Sequence, residues 1–119
     1  MYFTRTNGHH GVPGGHLEYG EQPLDGLRRE LREELGYTLT KEPQPLGAWT
    51  HFDQEKDNHR ITIAYIYDLP KKVDFKWQAG PDEENFLAFV WIKSSDIEQQ
   101  GFSPKYLEIM KRAAIAPHQ

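Results

Sequence analysis

The chain has no cysteine, so neither a disulfide framework nor a thiolate-held metal can organise it. Long apolar runs are missing too. The longest, around residues 61–67 and 86–92, fall far short of the roughly 20 residues that a membrane-spanning helix needs. No signal-peptide pattern precedes Arg5, so a cytoplasmic protein without membrane contact is expected. Basic excess is also absent. Fourteen Lys and Arg stand against eighteen Asp and Glu, giving a formal net charge of −4 and a pI near 5.8. That balance argues against a surface built to track a nucleic-acid backbone, and a small polyanion would have to be gripped locally. There is no internal repeat and no low-complexity tract, and 119 residues suffice for one domain with a modest core, residues 1–119.

What the chain does have is concentrated in one stretch, GHLEYGEQPLDGLRRELREELGY, from Gly15 to Tyr37. Pro23 suits the first turn of a helix, Leu24, Leu27, Leu31 and Leu35 recur at helical spacing, and Gly36 follows as a stop, so a helix is expected over residues 23–35. At about 100° per residue the leucines fill a stripe roughly 80° wide, with Glu30, Glu33 and Glu34 clustered about 100° away from it. Three carboxylates at i, i+3 and i+4 repel one another and call for a nearby positive charge. A hard divalent cation with oxygen ligands would answer that need. Arg28, Arg29 and Arg32 offer a plainer answer, lacing the acids into an exposed salt-bridge face. The run Gly11-Val12-Pro13-Gly14-Gly15-His16-Leu17-Glu18 favours the cation, because paired glycines let backbone approach a ligand closely.

The other elements read as a mixture of strands and helices. Strands are expected at residues 1–5, 46–52, 60–69 and 86–92, with the polar run 53–58 as a hairpin tip. Ser94-Ser95-Asp96 can cap a short helical turn. Ser103-Pro104 opens a C-terminal helix carrying Tyr106, Leu107, Met110 and Ala113.

Taken as a pattern, residues 15–37 are G-x5-E-x7-R-E-U-x-E-E-x-G-U, with U a bulky apolar residue. This resembles the Nudix box of hydrolases acting on nucleoside diphosphate-linked compounds, with Tyr37 where an aliphatic residue is usual. The likeness extends to Phe3-Thr4-Arg5, to His59–Ile63 and to Trp91–Ile97, segments similar to parts of MutT-like nucleoside triphosphatases. It implies an α+β fold, a Nudix-like α/β/α sandwich with a mixed sheet. Nudix domains usually run one more strand ahead of the one at residues 1–5, so a domain lacking that first strand is expected. A partner chain could cover the gap, which makes a homodimer, paired through sheet edges or exchanged strands, the expected assembly.

The resemblance also implies roles. Glu30 and Glu34 would be direct ligands of Mg²⁺, or of Mn²⁺ in its place, with a carbonyl of Gly14 or Gly15 beside them. Glu33 would share the metal shell or take the proton of the attacking water, and Arg29 would orient the acids. Glu21, at the helix N terminus, has a secondary part. Arg5 and His16 stand where similar enzymes aim cations at phosphate oxygens, and either is equally an ordinary surface residue. Asp82, Glu83 and Glu84 lie where many such enzymes supply a general base from a loop; Glu83 is the candidate, against the alternative of a solvated acidic loop. His51, Phe52, Tyr65 and Trp91 could wall a base pocket or simply form core. The proline and tyrosine that follow the box in ADP-ribose and diadenosine polyphosphate hydrolases are missing. Conversion of an NTP or dNTP to NMP and pyrophosphate is the favoured activity, with an ADP-ribose or dinucleotide pyrophosphatase, or a non-catalytic nucleotide-binding module, as the alternatives.

Overall fold

A computed structural model describes residues 2–5, 10–71, 73, 75, 86–90, 93–99, 101–102 and 104–116. The elements, in chain order, are β1 (Tyr2–Arg5), β2 (His10–Gly11), α1 (Pro23–Leu35), β3 (Gln44–Asp53), β4 (Asn58–Ile66), β5 (Phe86–Val90), a 3₁₀ helix (Ser94–Gln99) and α2 (Pro104–Ile115). The fold is α+β, as expected. Every strand pairing among the described residues is antiparallel, so the parallel pairing implied by a mixed sheet is not among them.

Helix α1 has the bounds that its leucine spacing predicts. Pro23 fills the first position, where no backbone N–H is needed, and Asp25 meets the positive end of the helix dipole. Gly36 ends it in the left-handed region at φ 64°, where a side chain would be strained. The Gly36 N–H donates to the Arg32 carbonyl at 3.0 Å and the Tyr37 N–H to that of Leu31 at 3.3 Å, closing the last turn. Of the leucine stripe, Leu35 is buried while Leu24, Leu27 and Leu31 are half-buried. Just past the helix, Tyr37 meets the rings of Tyr67 and Phe75 edge-on, at 6.4 and 5.5 Å between centroids. The Tyr67 hydroxyl accepts the Thr40 N–H at 3.1 Å and lies 2.9 Å from its Oγ1, tying the exit of α1 to the end of β4.

Strand β1 lies between β2 and β5, with Phe3 opposite both Gly11 and Phe89. The two-residue β2 was not foreseen, being too short for any periodicity to register. Strands β3 and β4 form a separate hairpin, paired from Gln44–Ile66 to Asp53–Asn58, and both begin two residues earlier than the sequence suggests. Its tip is tight: the Asp57 N–H donates to the Gln54 carbonyl at 3.3 Å, and Asp57 takes φ 47°. A bulge between Pro45 and Gly47 shifts the register. A Cβ on Gly47 would stand 3.1 Å from the Trp49 ring, so the glycine makes room for that indole.

One small core lies at the C-terminal end of the chain, where Ile97 and Phe102 pack with Tyr106, Leu107 and Met110. Ile109 is buried as well. Helix α2 rests on the 3₁₀ helix and on β3, with a Lys111–Glu98 ion pair of 2.8 Å holding the first contact. Lys111 also draws the Glu98 carboxyl below its ordinary pKa, chiefly by donating a hydrogen bond to it.

Candidate active site

The loop of residues 12–22 runs as a strap across α1, and two small residues let it come close. A Cβ on Gly15 would lie 2.5 Å from the Glu30 carboxyl group, so the strap backbone and that carboxylate share space only because residue 15 has no side chain. Within the helix, Gly26 does the reciprocal job: a Cβ there would collide with Leu17 and stand 3.0 Å from a Glu21 oxygen. The Gly14 N–H donates to Glu34 Oε1 at 3.1 Å. Strap and helix therefore meet at a glycine pair facing two of the helix acids.

Arg29 holds the other end of the junction. Its side chain is only 16% exposed. Nε donates to Glu21 Oε2 at 2.8 Å and Nη2 to Glu21 Oε1 at 3.1 Å, a two-pronged grip on one carboxylate. Nη2 also donates to the His16 carbonyl at 2.9 Å, while Nη1 donates to Glu30 Oε1 at 2.9 Å and to Glu33 Oε2 at 3.1 Å. A guanidinium has five N–H groups, and these five contacts use its full donor capacity. Glu18 adds a longer ion pair at 3.7 Å. The result is a set of carboxylates compensated by one cation.

The protonation equilibria follow that geometry. The hydrogen bond from Arg29, then that from the Glu18 N–H at 2.9 Å, hold the Glu21 carboxyl below its ordinary value. Glu21 in turn, with Glu30 behind it, pushes the Arg29 guanidinium further up, so it is charged at every working pH. Glu34 is the acid whose setting differs most from expectation. The sequence places it on the polar flank of α1, yet it is just 5% exposed, sunk at the strap with its carboxylate on Gly14. Glu33 is the most open of the three, more than half exposed.

Among the described residues, no group of three or more His, Asp and Glu is arranged to hold one ion, because Glu30 and Glu33 turn to Arg29 and Glu34 to Gly14. The donor chemistry nonetheless suits a hard divalent cation. Glu30, Glu33 and Glu34 provide oxygen donors only, and the glycine backbone adjoins two of them.

The other expected site residues are placed unevenly. His16 is exposed, and it is its backbone carbonyl that enters the junction. Arg5 ends β1 opposite Phe86, and its side chain is not among those described. Asp82, Glu83, Glu84 and Trp91 lie outside the described residues. His51 and Phe52 are exposed on the hairpin and Tyr65 is half-buried; Phe52 packs edge-on against His59, with centroids 6.1 Å apart. An open groove of about 830 Å³ lies between β3, the 3₁₀ helix and α2, walled by Leu46, Trp49, Ile97 and Ile115, and takes in no residue of α1 or the strap. Sequence reasoning undervalued Glu21, which is Arg29's main partner. Its spacing of eight residues from Arg29 was the available signal, and it becomes a contact because the strap folds back.

A glycine turn packed on an acid-bearing helix, organised by one arginine, defines a class of site as well as a sequence pattern. The chain belongs to the family described as the NUDIX domain, whose model matches residues 3–113. It is similar to proteins named nucleoside triphosphatase NudI: that of Escherichia fergusonii is 36% identical over 93 residues, covering 74% of this chain and 64% of that protein. The one from Klebsiella pneumoniae is 33% identical over 89 residues, 71% of this chain and 61% of that protein. The one from Escherichia coli strain K12 is 32% identical over 91 residues, 72% and 62% respectively. The matched segments thus span a little under two thirds of the length of these relatives.

Proposed function

We propose that the chain is a single Nudix domain that hydrolyses a phosphoanhydride in a nucleoside triphosphate or deoxynucleoside triphosphate, giving the monophosphate and pyrophosphate. The observation that carries this reading is the convergence of Gly14 and Gly15 on Glu34 and Glu30, which sets two acids of one helix against bare backbone. The names of the relatives support the substrate class. No helix among the described residues is long and apolar enough to cross a membrane.

Glu30, Glu33 and Glu34, with a carbonyl of Gly14 or Gly15, would hold Mg²⁺ or Mn²⁺. Such an ion, when bound, neutralises phosphate charge and lowers the pKa of water. The chain's own parts do the rest. Glu33, more open to solvent than Glu30 or Glu34, is the proposed acceptor of a proton from an attacking water. Glu83, outside the described residues, is the other candidate for that proton. Arg29 is a positioning residue, fixing Glu30 and Glu33 relative to Glu21 and the strap. Arg5 and His16 are the proposed cations for phosphate oxygens.

The test is a panel of nucleoside triphosphates, ADP-ribose and dinucleotides with Mg²⁺ or Mn²⁺, comparing the unmodified chain with Glu34→Gln. The substituted amide keeps an oxygen for the Gly14 N–H and loses the charge. Release of pyrophosphate that collapses in Glu34→Gln is expected. Two monophosphates as products would move the assignment to a dinucleotide or ADP-ribose pyrophosphatase. Nucleotide binding without turnover would identify a binding module, and turnover indifferent to Glu34→Gln would sink the metal-site assignment.

A further inference from the structure

Arg29 directs its charge at acids that are proposed to hold a divalent cation. Its Nη1 donates to Glu30 Oε1 at 2.9 Å and to Glu33 Oε2 at 3.1 Å, and the Arg29 and Glu30 side chains are both largely covered. The placing of the acids rests mainly on the strap instead. Glu30 is confined by the Gly15 backbone, where a Cβ would stand 2.5 Å from its carboxyl group, and Glu34 is buried with Oε1 on the Gly14 N–H. Glu33 meets Arg29 in an exposed i, i+4 pair, a contact that restrains a side chain only weakly. Loss of the Arg29 charge would therefore leave Glu30 and Glu34 with their strap contacts intact.

Electrostatics acts in the other direction, and with more force. An ion bonded to Glu30 and Glu33 would share those carboxylates with a fixed guanidinium, well inside the roughly 8 Å over which physiological salt screens charge. Like charges at such range repel, and the cover over Arg29 and Glu30 keeps solvent from damping that repulsion. A carboxylate that already accepts a charge-assisted hydrogen bond also has less electron density to give a metal. We infer that Arg29 is an internal competitor of the divalent cation: its charge takes over part of the compensation that the cation would supply, and this keeps the site's affinity for metal low. The inference rests on the proposed metal site. It gives the contacts that position Glu30 and Glu33 a second effect, which is to let bound metal leave more readily.

Isothermal titration calorimetry with Mn²⁺ alone, on chain first treated with a chelator, tests this without reference to turnover. Arg29→Gln should bind Mn²⁺ at least about tenfold more tightly than the unmodified chain, the scale expected for removing one nearby like charge. Arg29→Lys, which keeps the charge, should stay within about threefold of the unmodified chain. Affinity unchanged or weakened in Arg29→Gln overturns the inference and leaves Arg29 as a positioning residue alone. Glu34→Gln separates that failure from failure of the metal site itself. Mn²⁺ binding indifferent to Glu34→Gln removes the site and the inference with it, whereas binding that Glu34→Gln weakens keeps the site whatever Arg29→Gln does. Should Arg29→Gln fail to fold because Glu21 is left without its main partner, the comparison moves to Glu21→Gln/Arg29→Gln against Glu21→Gln, where the charge of Glu21 is gone from both. The double variant should again bind Mn²⁺ at least about tenfold more tightly than the single one. Equal or weaker binding overturns the inference.

Discussion

The strap–α1 junction and the β3–β4 hairpin both join residues distant in sequence, yet different forces hold them. At the junction, side-chain hydrogen bonds carry the load: Arg29 bridges Glu21, Glu30, Glu33 and the His16 carbonyl, and Glu34 takes the Gly14 N–H. In the hairpin, backbone pairing runs from Gln44 to Asp53, and one face of side chains is exposed. Charge-assisted bonds fix atoms to within tenths of an ångström and depend on each partner, so the junction is specific and brittle. A ladder of backbone bonds tolerates changes of side chain, so the hairpin is robust and open to new contacts.

That contrast can be broken by substitution, and the largest effects belong to the junction. Glu30→Gln should lower turnover with Mg²⁺ by about a hundredfold or more, given the scale on which stabilisation of developing charge operates, while circular dichroism stays unchanged. Nucleotide hydrolysis assays at saturating metal check it. Gly15→Ala should come next. Its methyl would stand 2.5 Å from the Glu30 carboxyl, so either strap or acid must move, and a loss of about tenfold to a hundredfold is expected, with a raised Mg²⁺ requirement. A metal titration of initial rates distinguishes that from simple unfolding. Arg29→Lys should cost about tenfold in activity, because three N–H groups cannot replace five contacts. Retention of full activity would show that charge alone suffices.

Acid provides a finer probe. Arg29 holds Glu21 below the ordinary carboxylate value in the folded chain, so between the lowered and ordinary values the unfolded chain binds a proton that the folded chain does not. Glu21's contribution to stability is therefore complete above the ordinary value and drains away as pH falls through the lowered one. Thermal unfolding followed from neutral pH into acid should show that decline, and Glu21→Gln should flatten it. The smallest effect is expected in the hairpin: Asp57→Gly relieves the positive φ of 47° at the tip and should add up to about 1 kcal/mol of stability without touching activity.

Much of this was written plainly in the chain. Helix α1 was legible to the residue because its start, its apolar stripe and its stop are each local signals: Pro23, the four leucines and Gly36. The hairpin and α2 were legible to within a few residues for the same reason. What escaped depends on tertiary proximity. Nothing local marks Thr40 and Tyr67 as partners 27 residues apart, nor shows that Glu34 would be covered while Glu33 stays open. The exposed face of β4 escaped for a related reason. Alternation identifies a strand and its two faces, but Ile61 and Ile63 look like core until the packing reveals which face is covered.

The saturation of Arg29 also bears on the order of events at the site. A guanidinium whose five N–H groups are all engaged has none to offer an arriving phosphate. An anion can reach it only after one of those partners departs, and movement of Glu30 and Glu33 away from it would release both Nη1 donors. Were Glu30 and Glu33 to hold a divalent cation, as proposed, Arg29 would keep its grip on Glu21 and the His16 carbonyl while two of its five N–H groups came free.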